Sequence, residues 1–322
     1  MGLGEVFSAT WQDYKKNFKL VLKSFWWFNI LPTIVLGAIF LVVLVLFLSS
    51  ISQFGSQDYA STAYSGLSSL TGNAIRDSAS MNSFGYLAVF VVFIIVFVVA
   101  MIVFSIYLGT TLYYASFYNE KNMRFKQAAS GGSRYFWKFL GLSVLILLFI
   151  WLLYVPGVLS VIIDVVLWSM LDMTLKVVLV LLSITLFILA FIFSLYLGVS
   201  WLFSPYVLVR ENKRITESMK FSRQMTKGRW WKVFGYFLLV GLIAGGINMV
   251  FAIPSFFISF FVSLFSFALL ATRNMAGYVI LLVLSLGIKY IFNLAASIVI
   301  TPFIIFFFKN FYLEIRTKKG KK

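Results

Sequence analysis

Long stretches without a single charge constrain this chain more than any other feature. Residues Val89 to Ile106 and Val177 to Leu197 contain no Lys, Arg, Asp or Glu. A helix that crosses a bilayer needs about 20 mostly apolar residues, and only helices and closed barrels satisfy every backbone N–H and C=O inside hydrocarbon. Barrel strands alternate apolar and polar side chains. These runs do not alternate, so they predict helices. Composition agrees, since 61% of the 322 residues are hydrophobic and 11% are charged, against roughly 25% charged in soluble domains. The expected fold class is all-α, one integral membrane domain over residues 1–322.

Hydropathy predicts six transmembrane helices, at about 26–49, 86–117, 139–163, 176–208, 233–253 and 276–308. The second, fourth and sixth exceed what a bilayer requires, so they tilt or continue as helix beyond it. The run Phe25 to Leu48 follows a positive segment but is longer than a secretory h-region of about 7–15 residues. It reads as a retained first span. Residues 255–271 extend the fifth run past Pro254 and are expected to form a bent extension or a re-entrant segment.

Charge sets the expected orientation. Of the 27 Lys and Arg, 23 fall in residues 1–23, 118–138, 210–232 and 309–322. Arg76, Lys176 and Arg273 lie between the other ends of the spans, and Lys289 lies inside one. Positive charge concentrates in cytoplasmic loops, so six spans with both termini cytoplasmic satisfy this split. The expected location is the cell membrane, multi-pass. The net charge of +17 is spread between apolar runs, which makes anionic membrane phospholipids the expected partner and speaks against nucleic acid. A homo-oligomer or another membrane protein stays open as a partner. With no Cys and no His, there is no disulfide framework, zinc finger, histidine base or cysteine nucleophile. No cofactor and no metal is expected, and no nucleotide-binding or nucleophile-elbow motif occurs.

The chain also repeats itself. Ser105-Ile-Tyr-Leu-Gly109 and Ser194-Leu-Tyr-Leu-Gly198 close two apolar runs, and Tyr135-Phe-Trp-Lys-Phe-Leu-Gly141 and Arg229-Trp-Trp-Lys-Val-Phe-Gly235 open the runs that follow. Ser204-Pro205 and Thr301-Pro302 correspond in the same way. Three repeated hairpins are expected, in units of about 1–117, 118–208 and 209–322, each preceded by a basic cytoplasmic interfacial segment. Recruitment of Trp, Tyr and Lys by any membrane interface is the simpler alternative.

The candidate functional residues lie in those segments. Phe7, Trp11, Tyr14, Phe18 and Val21 share one helical face, the pattern of an amphipathic helix lying in the interface. Lys15, Lys16, Lys19, Arg134, Lys138, Arg229 and Lys232 are candidates for lipid headgroups, beside the interfacial aromatics Trp11, Trp137, Trp230 and Trp231. Lys289 and Asn293, one turn apart, are the intramembrane polar candidates, with snorkelling of Lys289 the plainer reading. The loop 52–85 suits a flexible cap or a partly helical lid, with disorder or packing onto the outer helix ends the plainer reading. Asp164 and Asp172 flank Trp168 and are expected to be solvated in an outer connection. Gly241-Leu-Ile-Ala-Gly245 has a helix-packing spacing, expected to serve contacts within the subunit.

Pro205-Tyr-Val-Leu-Val-Arg-Glu211, Ile215-Thr-Glu-Ser-Met-Lys-Phe-Ser222 and Lys227-Gly-Arg-Trp-Trp-Lys232 resemble bacterial and archaeal membrane proteins grouped with the membrane domain of glycerophosphodiester phosphodiesterases. The resemblance implies a proline-ended span leading through a basic helix to an aromatic-basic opening. In full-length phosphodiesterases of that kind a separate soluble barrel carries the hydrolase. Six spans use this chain, so hydrolysis is not carried over. The expected function is a non-enzymatic membrane protein that binds or organises phospholipids, in envelope homeostasis. The alternative is a transporter or permease subunit with an intramembrane site near Lys289.

Overall fold

The computed structural model describes residues 2–40, 42, 72–118, 123–168, 172–271 and 275–319. They are helical almost throughout, and no strand occurs among them. Helix α1 (Leu3–Phe25) continues through a π-helical turn at Trp26–Ile30 to Phe40. It is followed by α2 (Gly72–Tyr118), α3 (Phe125–Ser133), α4 (Phe136–Leu167), α5 (Met173–Trp201), α6 (Ser204–Arg210), α7 (Ile215–Thr226), α8 (Trp230–Ala271) and α9 (Met275–Lys319). Six helices are long and apolar enough to cross a membrane.

One boundary departs from expectation, and at another the structure decides between two alternatives. The first apolar run does not begin a new helix, because the N-terminal amphipathic segment runs into it without a break. Helix α8 passes through Pro254 and reaches Ala271 as 42 continuous residues, so 255–271 is a helical extension and not re-entrant. Of the loop 52–85, residues 52–71 lie outside the described residues, and 72–85 begin α2.

The chain packs as two compact units, residues 23–109 and residues 1–22 with 110–322. In the first, Phe28 stacks on Tyr107 at 5.8 Å and the Thr33 hydroxyl donates to Met101 Sδ at 3.7 Å. In the second, α4 pairs with α5 and α8 with α9. Its core gathers at the basic helix ends, where Phe203, Tyr206, Phe306, Phe307, Phe311 and Tyr312 are buried. Mid-span side chains such as Leu152 and Leu242 face outward. That distribution has a solvent cause. Lipid tails are as apolar as Leu, so hydrocarbon supplies no hydrophobic force between spans, whereas water at the helix ends does.

Polar contacts fasten this core. Lys309 Nζ meets Asp13 Oδ2 at 2.6 Å, while Asn310 Nδ2 donates to the same oxygen at 3.1 Å and to Thr10 Oγ1 at 3.4 Å. Phe7 packs on Phe303 and Phe307 beside them. These contacts rotate the buried stripe of α1 away from the face expected to enter lipid. Val6, Thr10, Tyr14, Asn17 and Val21 are buried, and Trp11 and Phe18 stay exposed. Thr10 belongs to the buried stripe because Asn310 of α9 donates to it where lipid offers no such group, and Asn17 donates to the Asp13 carbonyl of its own helix at 2.8 Å.

Helix α3 is held by glycine. A Cβ at Gly132 would lie 2.8 Å from the Thr111 backbone, and one at Gly131 would overlap the Tyr114 ring. Only residues without side chains let α3 approach α2 this closely.

Candidate functional site

Among the described residues, three cations without acidic partners gather where α5, α7 and α8 meet. The fourth span stops at Trp201, and a two-residue turn leads into α6, with Pro205 in its first turn, where a missing N–H costs nothing. Ser222 of α7 secures that turn. Its hydroxyl donates to the Ser200 carbonyl at 2.8 Å and accepts from the Phe203 N–H at 3.2 Å. Helix α7 begins at Arg214, whose N–H donates to the Glu217 carboxylate at 3.4 Å. It ends at Gly228, whose φ of +79° is the left-handed geometry that closes helices and favours glycine.

Between these elements is a cavity of about 410 Å³. Lys220, Arg223 and Lys227 of α7 converge on it, with Gln224 beside them and Tyr196 and Trp230 as a wall. The two rings stack at 5.8 Å, and the indole N–H donates to the Tyr196 carbonyl at 3.4 Å. All three cations are exposed, and among the described residues none has an acidic partner.

Neighbouring cations differ because the acids near them are taken. Glu211 pairs with Lys213 at 3.0 Å and Arg316 at 3.5 Å, and accepts from the Tyr312 hydroxyl at 3.0 Å. Burial opposes ionisation of Glu211, but the hydrogen bonds from Lys213 and Tyr312 and the charges of Arg316 and Lys213 outweigh it and hold the carboxyl below its ordinary value. Glu314 takes Lys232 at 3.4 Å, and Asp13 takes Lys309. The arrangement leaves a cation cluster that can accept a polyvalent oxyanion beside aromatic surface.

The residues singled out from sequence divide among different tasks. Trp230 walls the cavity, while Trp231 is 78% exposed. Arg229 is half-buried in the turn, with its N–H bonded to the Thr226 carbonyl at 3.0 Å. Lys232 is spent on Glu314 and on the Tyr236 and Phe311 rings, and Lys138 on the Asn212 side chain at 2.8 Å and the Tyr135 ring. Arg134 and Trp137 are exposed, as are Lys15, Lys16 and Lys19, with Lys15 lying 5.2 Å from the Trp11 ring. These residues do not form one site. The cavity cations Lys220, Arg223 and Lys227 were missed, because the candidates were taken from the entries to the spans and only the fold brings these three against Tyr196.

Two further features lie in the spans. Asn248 of α8 and Asn293, Ser297 and Thr301 of α9 line a notch of about 440 Å³ with Ala244 and Gly245. Lys289 is exposed and does not line it. A Cβ on Gly241 or Gly245 meets nothing within 4 Å, so this glycine pair does not serve the internal packing expected of it. Asp164 is not in a solvated loop. It lies inside α4, 9% exposed, and accepts from the Ser183 hydroxyl of α5 at 2.6 Å. Asp172 caps α5 through the Leu175 N–H at 3.0 Å. No family model, curated protein or solved structure matches this chain.

Proposed function

We propose that this integral membrane protein is a non-enzymatic binder of anionic phospholipids, holding their phosphate at the cytoplasmic ends of its spans. The observation that carries the reading is the cavity at Lys220, Arg223 and Lys227, three cations without acidic partners against the stacked Tyr196 and Trp230. Phosphate oxygens satisfy such a cluster, and the aromatic pair gives the glycerol backbone an interfacial surface. Each cation near an anionic surface contributes about 1 kcal/mol, screened by salt. Replacing all three by Gln is expected to weaken binding to nanodiscs rich in phosphatidylglycerol on the order of a hundredfold, since 1.4 kcal/mol is tenfold. Binding to phosphatidylcholine should hardly change. A folded triple variant with wild-type affinity across salt would overturn the reading.

The notch at Asn248 and Asn293 favours a second reading, a transporter or permease subunit. An unpaired carboxamide facing hydrocarbon costs several kcal/mol, a cost that a polar solute or a partner helix in the notch would relieve. Solute flux in proteoliposomes that Asn248→Leu abolishes would support it. The resemblance to the phosphodiesterase-associated membrane domains rests on the quoted residues alone and is compatible with either reading.

A further inference from the structure

We infer that Asp164, Trp168 and Lys176 form a second lipid site, at the opposite end of the α4–α5 hairpin, that binds a phospholipid carrying a primary ammonium. The starting point is an orphan. Asp164 Oδ2 accepts from Ser183, while Oδ1 is buried and has no hydrogen-bond partner among the described residues. A desolvated carboxyl oxygen without a donor is costly and rare in folded proteins. Asp164 and Ser183 are the polar side chains in the wall of a cavity of about 630 Å³, otherwise built from Val161, Val165, Val180 and Ile184 with the rings of Trp168 and Phe187. The space beside the orphan is thus a groove for an acyl chain.

Depth argues for a lipid. Asp164 lies 28 residues beyond Phe136, about 42 Å along α4 at 1.5 Å per residue. A bilayer with its headgroups is about 40–45 Å thick, so the carboxyl reaches the far headgroup layer while Val161, Ile184 and Phe187 face the tails. Trp168, 52% exposed, marks the same interface. Lys176 Nζ lies 5.2 Å from the Trp168 ring and pairs with no acid among the described residues. A carboxyl acceptor, a cation and an apolar groove complement a zwitterionic headgroup, the ammonium donating to Asp164 and the phosphate meeting Lys176. The N–H requirement selects ethanolamine over choline, because a quaternary ammonium cannot donate to Oδ1.

The test measures lipid retention by native mass spectrometry and affinity in nanodiscs, on the full chain. Wild type is expected to prefer phosphatidylethanolamine over phosphatidylcholine about tenfold. Asp164→Asn should abolish that preference and leave phosphatidylglycerol binding at the cation cavity unchanged, so the two sites fail independently. Ser183→Ala removes the interhelical hydrogen bond but keeps the carboxyl, and should retain the preference. Equal binding of both lipids by wild type, or retained preference in a folded Asp164→Asn protein, would overturn the assignment. If soluble ethanolamine displaces the lipid at matching concentration, the site takes amines and the lipid assignment fails. If Ser183→Ala loses the preference as fully as Asp164→Asn, the pair is only an interhelical tie.

Discussion

At the scale of single residues, scarcity of acid governs the basic ends of the spans. The chain has 10 Asp and Glu against 27 Lys and Arg, so each acid there decides which cations are neutralised. Glu211 is the clearest case, because its carboxyl is held below the ordinary value of 4.5. A group with a lowered folded value contributes stability that is complete above the unfolded value and is lost as pH falls through the folded one. Wild type is therefore expected to lose thermal stability below about pH 4.5, and Glu211→Gln to start less stable at pH 7 and lose less on acidification. Melting curves between pH 3 and 7 check this; parallel curves would refute it. Gly132 tests packing instead. Alanine there meets the Thr111 backbone at 2.8 Å, and such overpacking costs about 1–3 kcal/mol. Gly241→Ala, with open space around its Cβ, should cost far less in the same denaturation assay. The Lys and Trp flanking the spans were legible one by one, since interfaces recruit them. Their partners were not, because Glu314 lies 82 positions from Lys232 and Asp13 lies 296 from Lys309.

Among elements, the helices were legible and their joints were not. Long, almost charge-free apolar runs identify all six spans because hydrocarbon imposes that pattern whatever the tertiary fold. Joints depend on contacts between distant segments, which the pattern does not carry. Ser204-Pro205 and Thr301-Pro302 look alike in sequence, yet Pro205 opens a new helix whereas Pro302 lies inside α9. The difference is Ser222, which occupies the Phe203 N–H and the Ser200 carbonyl at the first break. Ser222→Ala leaves both buried groups unsatisfied, and about 1–3 kcal/mol of stability should disappear with them. Hydrogen exchange at Phe203 should rise in that variant. Unchanged protection would mean that the turn holds without its tie. The buried stripe of α1 only partly matches the expected face, for a related reason. Periodicity finds a face of Phe7, Trp11, Tyr14 and Phe18, but the polar groups of α9 draw Thr10 and Asp13 toward the protein.

For the molecule as a whole, charge asymmetry predicts orientation. Cysteines introduced at Ser65 and Thr317 should react with impermeant reagents from opposite sides of the membrane, and labelling of both from one side would overturn the six-span topology. The breaking of Asp13–Lys309 is expected to be global in its effect. Removal of one partner from a fully buried pair costs about 3–5 kcal/mol; with Asp13 29% exposed the cost is a fraction of that, and Lys309→Met should still lower the melting temperature more than Lys289→Met, since Lys289 is exposed. The cation cavity was only half legible, because the basic character of residues 213–230 was evident but the wall supplied by Tyr196 was not.

Helix α8 has a consequence for the bilayer itself. Its 42 residues make a rod of about 63 Å, twice the roughly 30 Å of hydrocarbon, and its final third, from Phe256 to Phe267, stays outward-facing and rich in phenylalanine. Length that cannot stand upright becomes area. Lying down, that third of the helix would wedge one leaflet open and leave the other untouched, so the protein should accumulate in small vesicles over flat sheets. Sorting between liposomes of about 30 and 200 nm would measure the bias, and Phe256→Ser combined with Phe260→Ser and Phe267→Ser, all at exposed positions, should erase it.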